Sequence, residues 1–479
     1  MSLHDLPDGL VAVVKRDCPT CVLVEPVLRQ LAAAVPGFSV LTQDDPRFPE
    51  GLAGVVDDTA LERSFALRIE TVPTLLHRAA GSETARAIGW HRGEWEALSG
   101  IAALGAGLPD QRPGCGSRNA DPNIADELAV RLGAVRFDSR TVDLGDDEDE
   151  HEACFDRGWT DGLPVVPPTR VRVHRMLQGT QRDPKEVLGL MPSDLEPCTI
   201  EKVAINAVMA GCRPEYMPVL IAAVEAVLDE EFALHGVIAT TMYIGPIVIV
   251  NGPVRKAIGM NSGVNALGQG NRANSTIGRA LQLVIRNVGG GKPGGVDRAT
   301  LGNPGKLGLC FAENEEDSCW APQSVERGIE PGKSSVTVFA GFGVQGVVDQ
   351  VSRTPESLVR SFAACLGAMG HPKLWAPFDA MIVVVPEHLR VFREAGWSRE
   401  RFVAELMALT TIPAEHVLAG AGGMAVGAPE STRGKMLRKL REGGVCVVHA
   451  GGGAGLFSAI LPGWGPQSQS RITTKEVRH

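Results

Sequence analysis

With 479 residues, 44% of them apolar, the chain is too long for one compact domain and has ample material for two or three cores. A formal charge of −9 and an isoelectric point of about 5.7 argue against the basic face that a nucleic-acid or anionic-membrane partner requires. No apolar run approaches the ~18 residues of a membrane span, and Met1 to Leu10 lacks the basic start and apolar core of a secretory signal, so a cytoplasmic protein is expected.

The ten cysteines are too sparse for a disulfide scaffold and fit reduced thiols apart from a working pair. That pair comes first in chain order. The apolar run Leu10 to Val14 predicts a strand, Asp17-Cys18-Pro19-Thr20-Cys21-Val22 follows at once, and Leu23, Val27, Leu28 and Leu31 predict a helix over 22–34. A thiol at the start of a helix meets its positive end and is driven toward thiolate, so Cys18 is expected to be exposed and the most reactive cysteine. Thr71-Val72-Pro73-Thr74-Leu75 adds an X-Pro bond before a short strand. Half of a zinc site would need a second ligand pair, and His77 and His91 stand alone. On these residues the segment from 9 to about 100 resembles a thioredoxin-fold domain. The resemblance implies that Cys18 and Cys21 are the redox pair, with Pro73 as the cis-proline beside it.

Beyond residue 104, the breakers Gly105, Gly107, Pro109, Pro113, Gly114, Gly116 and Pro122 read as a linker. A short helical stretch at Ile124 to Leu132 and the acidic run Asp143 to Glu152 extend this connector over 105–150. From 151 onward, helical spacing at Val203–Met209, Met217–Leu228, Leu358–Leu366 and Ser398–Leu409 alternates with short β-rich runs. The runs are Ile244–Val250, Val336–Ala340, Met381–Val385 and Val445–His449. The expected fold class is therefore α/β: a thioredoxin-like domain (1–104), the linker, and a larger α/β domain of two lobes, 151–333 and 334–479.

Four polar constellations mark the larger domain. Trp159 to Thr169 is a Pro- and Gly-fixed loop that holds Asp161. The helix bearing Asn206 ends at Gly211 and turns into Cys212, whose neighbour Arg213 suits a thiolate nucleophile. Residues 261–279 carry Asn261, Asn265, Asn271, Arg272 and Arg279, a composition suited to anions and carboxylates before a helix. In Cys310 to Trp320 the acids Glu313, Glu315 and Glu316 crowd together, which can raise the pKa of one and make it a proton donor, or can ligate a hard cation. The strings WTDGLPVVPPT, NAVMAGCRPEYMPV, NSGVNALGQGNRANSTIGRA, LGNPGK, FAENEEDSCW and AGGGAGLFSAILPGW make residues 150 to 479 similar to UGSC-type (seleno)proteins, a bacterial family. The resemblance implies thiol or redox chemistry on a small molecule. The selenocysteine-Gly-Ser-Cys motif itself is not in the chain, which has only Gly114-Cys115-Gly116-Ser117.

The expectation drawn from these parts is a thiol-dependent oxidoreductase. The dithiol passes electrons to a cysteine of the large domain, Cys212 first and Cys115 second. That cysteine acts on a small anionic metabolite held by Asp161, Asn206, Asn261, Asn265, Asn271, Arg272 and Arg279, with Glu313 or Glu315 giving a proton. No cofactor or metal is implied beyond the dithiol, and the expected partners are the small substrate and thioredoxin reductase or another thiol reductant. The alternatives are a cysteine- or metal-dependent hydrolase or lyase, and a non-enzymatic redox carrier or sensor.

Overall fold

A computed structural model describes residues 8–370, 377–418, 430–465 and 469–478. It is mixed α/β, and its contacts divide it into two units, Met1–Arg136 and Phe137–His479.

The first unit is built on strands β1 (Gly9–Val14), β2 (Ser39–Thr42), β3 (Val55–Asp57), β4 (Thr71–Val72), β5 (Thr74–Ala79), β6 (Ser82–Ile88), β7 (Trp90–His91), β8 (Gln111–Arg112) and β9 (Cys115–Gly116). Five of them form one sheet in the order β3-β2-β1-β5-β6, in which β1, β2 and β3 run parallel and β5 and β6 antiparallel. The central β1 is buried at five consecutive residues, Leu10 to Val14, as expected of a strand covered on both faces. Helices Glu25–Ala34 and Arg92–Ser99 supply Val27, Leu28, Leu31 and Trp95 to its core, where Trp95 meets Trp90 edge-on at 5.3 Å. The helix expected over 22–34 is two helices, Pro19–Leu23 and Glu25–Ala34, parted at Val24 just before Pro26, which has no N–H to continue the ladder.

Residues 105–136, expected as linker, belong to this unit. Trp90 Nε1 donates to Pro109 O at 2.6 Å, and β8 and β9 pair with β7 and β4. The Gln43 carboxamide donates to Ser117 Oγ (2.7 Å) and Asn119 Oδ1 (3.1 Å). Helix Pro122–Arg131 follows, capped by Asp121, and Arg131 donates to Ala60 O at 2.6 Å. The glycines and prolines here shape close turns rather than a tether.

In the second unit, β10 (Val187–Met191) and β11 (Glu196–Thr199) form a ribbon, as do β17 (Thr411–Pro413) and β18 (Met436–Arg438). Two four-stranded sheets carry the fold. The first, in the order β13-β12-β14-β21, contains β12 (Gly245–Asn251), β13 (Leu309–Ala312), β14 (Ser335–Gly341) and β21 (Thr473–Glu476). The second, in the order β15-β20-β16-β19, contains β15 (Gln345–Val348), β16 (Phe378–Val384), β19 (Leu440–His449) and β20 (Phe457–Pro462).

The period-2 alternation of side chains explains how the sheets stack. Ile247, Ile249 and Phe339 of the first sheet share a core with Met381, Val383, Cys446 and Val448 of the second. The alternate residues Val248, Val250, Val336 and Val338 face a core filled by helices Ile200–Ala210, Met217–Leu228 and Arg272–Gly289. On the far side, Ala380, Ile382 and Val384 meet helices Pro355–Ala368, Pro386–Glu394 and Arg399–Leu409. The order of layers is helix, sheet, sheet, helix. A division at 333/334 is not a boundary between cores, because β14 pairs with β12 over its whole length and β21 pairs with β14. No helix of the described residues is long and apolar enough to cross a membrane.

Candidate functional site

Cys18 ends the β1 turn and caps helix Pro19–Leu23. Its sulfur accepts the Cys21 backbone N–H at 3.4 Å, with Pro19 preset for the first helical position. It also reaches Val72 O at 3.5 Å, next to the cis Val72–Pro73 peptide. A hydrogen bond from the Cys21 thiol, opposed by burial and aided by the Cys115 thiol and the N–H groups of Cys21 and Thr20, brings the Cys18 pKa down to about 5. Burial, followed by the donation to Cys18, pushes Cys21 far up. The two thiols of the pair are thus set apart as a thiolate and its proton-bearing partner.

The exposure expected of Cys18 from the sequence is absent: the residue is 1% accessible. Segment 113–116 packs beside it. Thr20 Oγ1 donates to Pro113 O (2.8 Å), Lys15 Nζ to Gly116 O (2.9 Å), and β9 places Cys115 opposite Val72. Cys115, expected within a linker and grouped with the large domain, is therefore a third thiol at the dithiol. It packs against the cluster that holds Cys18 and Cys21 and is partly exposed. The strand can approach because residue 114 is glycine: a Cβ there would stand 2.4 Å from Thr71 Cγ2 and 2.6 Å from Val72 O. Gly114→Ala is expected to destabilise the first unit by about 1–3 kcal/mol. By withdrawing the Cys115 donor it should also raise the Cys18 pKa. Urea unfolding and thiolate absorbance against pH measure the two effects.

The candidates of the second unit divide differently from expectation. Cys212 lies beyond helix Ile200–Ala210, buried, with its thiol donating to Thr276 O at 3.4 Å. Burial pushes it up to about 12, more than Arg272 and Arg279 recover, and Arg213 points instead toward Glu215 at 3.9 Å. A thiol so placed is a small apolar group, not a nucleophile.

Of the arginines expected to hold an anion, Arg279 is taken up by Asp161, whereas Arg272 is exposed and uses its Nε alone among the described residues. Arg279 Nε and one terminal N–H group both donate to the Asp161 carboxylate at 2.8 Å, a bidentate pair that fixes the 159–169 loop, and Arg272 Nε donates to Gly211 O at 2.9 Å. The amides are likewise spent on their own loop. Asn261 bonds Gly263 N and Val264 O, Asn265 bonds Gln269 O, and Asn271 caps helix Arg272–Gly289 through Asn274 N while donating to Gly259 O. Asn206 donates to Lys202 O and accepts from Asn287 at 2.8 Å, and both amides line a cavity of about 1020 Å³ with Trp159, Glu201 and Cys154.

Glu313 is wholly buried. Its carboxylate accepts from Asn251 Nδ2 (2.6 Å) and Gln323 N (2.8 Å), with an Arg399 terminal N–H group at 3.5 Å. Burial raises its pKa against the pull of Arg399, in the direction expected of a proton donor. Glu315 accepts from Asn251 and Gly252 N, and Glu316 is held down to about 2 by Arg255. Asn314 N donates to His449 O, and Gly451 N to Ser262 O, so the 261–279 loop, the acidic segment and the Gly451–Gly455 loop are neighbours.

His449, passed over in the sequence as the last residue of an apolar strand, is fully buried there. Its Nδ1 bonds Val384 O at 2.8 Å, and its Nε2 lacks a partner among the described residues. No group of three or more His, Cys, Asp or Glu that could hold a metal is found among the described residues. Compared with family models, curated proteins and solved structures, the chain shows no match.

Proposed function

We propose that the chain is a thiol–disulfide oxidoreductase of thioredoxin-like architecture, with Cys18 as attacking thiol and Cys21 as resolving thiol. One observation carries the reading: the Cys18 sulfur caps a helix and accepts the Cys21 backbone N–H at 3.4 Å, a setting in which the Cys21 thiol draws its pKa down to about 5. The sheet order β3-β2-β1-β5-β6, with the dithiol directly after β1 and Pro73 before β5, supports the thioredoxin-like assignment.

The Cys18 thiolate attacks a disulfide sulfur, one thiol leaves, and Cys21 then displaces the second as the Cys18–Cys21 bond closes. Two electrons pass from the pair to the substrate. Cys212 is not the acceptor, since it is buried and protonated.

The test is reduction of a small disulfide, hydroxyethyl disulfide, with dithiothreitol as the terminal reductant. The wild-type chain should accelerate it, and Cys18→Ala should fall to the rate of dithiothreitol alone. A Cys18→Ala protein as fast as wild type overturns the reading.

A further inference from the structure

Given the dithiol chemistry proposed above, on which this step rests, we propose that Cys115 is a third redox thiol, forming a disulfide with Cys18 in exchange with the Cys18–Cys21 bond. Three separate contacts fix its segment against the pair: the Thr20 hydroxyl on Pro113 O, the Lys15 ammonium on Gly116 O, and the β4–β9 pairing. That pairing sets Cys115 directly across from Val72, the residue whose carbonyl the Cys18 sulfur reaches at 3.5 Å. Opposed residues of an antiparallel pair have Cα atoms only about 4.5–5.5 Å apart. The Cys115 side chain packs against the same buried cluster that holds Cys18 and Cys21. Gly114 has no side chain, and any Cβ there would force the strand off.

Accessibility gives the third thiol a task. Cys18 and Cys21 are closed to solvent, whereas Cys115 is partly open. A disulfide confined to the first two is out of reach of a bulky partner, and one that includes Cys115 is not.

The exchange starts from the Cys18–Cys21 disulfide. The Cys115 sulfur attacks Cys18 Sγ, the Cys18–Cys21 bond breaks, and the Cys18–Cys115 bond forms. Cys21 leaves with the electron pair and takes up the proton that Cys115 gives up. One S–S bond is lost and one gained, one proton moves, and no net electrons are transferred, so the exchange needs no further oxidant. The Cys115 thiol is held above its ordinary pKa by Cys18 and by burial, against a smaller pull from the Lys15 ammonium, and the buried Cys21 site favours the protonated thiol that results.

The experiment treats the full chain with glutathione disulfide, quenches in acid, alkylates free thiols and maps disulfide-linked peptides without reduction. Wild type should give both Cys18–Cys21 and Cys18–Cys115 linked peptides. In Cys21→Ser the Cys18–Cys115 peptide should become the main species, formed as Cys115 displaces glutathione from Cys18. Because position 21 is fully buried, Cys21→Ala serves as a second variant, and the wild-type peptides need no variant at all. Cys18 carrying glutathione in both variants with Cys115 alkylated, while wild type still closes Cys18–Cys21, overturns the role of Cys115 alone. A wild-type chain that forms no disulfide at Cys18 overturns this role and the dithiol reading together.

Discussion

The thiolate absorbance of the reduced protein will show one thiol titrating near pH 5, and Cys18→Ser will abolish that step. An ordinary thiol titrates near 9, so the difference is large, and the measurement does not depend on access to the buried sulfur. The donors responsible are the Cys21 thiol first, then the Cys115 thiol and the N–H groups of Cys21 and Thr20, working against burial. The folded pKa lies below the unfolded one. The contribution to stability of the reduced state is therefore complete above about pH 9 and disappears as pH falls through about 5. The disulfide form has no thiolate and no such contribution. The urea midpoint of the reduced protein relative to the disulfide form should accordingly rise as pH climbs from about 5 toward 9, beyond which the raised Cys21 pKa works against it. A reduced protein whose only thiol transitions lie at 8 or above would exclude a thiolate at Cys18.

Arg399→Met should cost the second unit about 3–5 kcal/mol, the usual loss when one partner of a buried ion pair is removed and the other charge stays behind. Arg399 is buried between Glu313, Glu326 and Ala321 O and lies over the Trp320 ring at 5.7 Å. Glu313→Gln in the same chain removes the stranded charge while keeping an oxygen for Asn251 Nδ2 and Gln323 N, and should recover roughly half of the loss. Glu313 already has its folded pKa above the unfolded value of 4.5 because of burial, so folding favours the proton-bound form. Stability from this group is complete below the unfolded pKa and is lost as pH rises, more so once the cation is gone. The Arg399→Met deficit should therefore shrink in acid, as read from urea midpoints at acid and neutral pH. A deficit independent of pH would mean that the lost packing on Trp320, not the charge, sets the cost.

What the sequence made legible was whatever it encoded locally. The strand that runs into Cys18-Pro19-Thr20-Cys21, the apolar runs that become β12, β14, β16 and β19, and the helices at 217–228 and 399–409 are contiguous patterns bounded by turn residues. Pairing between distant segments was not legible. Gly114 and Pro113 read as breakers because turn composition is the same in a tether and in a strand that must pass close to another backbone. Asp161 and Arg279 each looked like a ligand-binding group because nothing local reveals that they meet across 118 positions of chain. The amides of 261–274 misled for a related reason: a loop without regular hydrogen bonding needs side-chain partners for its own backbone, and that need has the same composition as a binding site. His449 gave no signal at all, standing at the end of Val-Cys-Val-Val-His, where a strand ends in the core.

The return of β21 to the edge of β14 has a consequence for biosynthesis. A ribosome that has released residues up to 341 has delivered β12, β13 and β14, yet the edge of β14 that β21 will occupy is bare until 473–476 emerge, and the face bearing Ile247, Ile249 and Phe339 is uncovered until β16 and β19 follow. The first unit meets no such delay, since every strand of its sheet lies before residue 89. The nascent chain thus carries a dithiol unit able to close early and, behind it, an apolar sheet that stays open to improper strand pairing until β21 emerges, which is the interval in which a chaperone would matter.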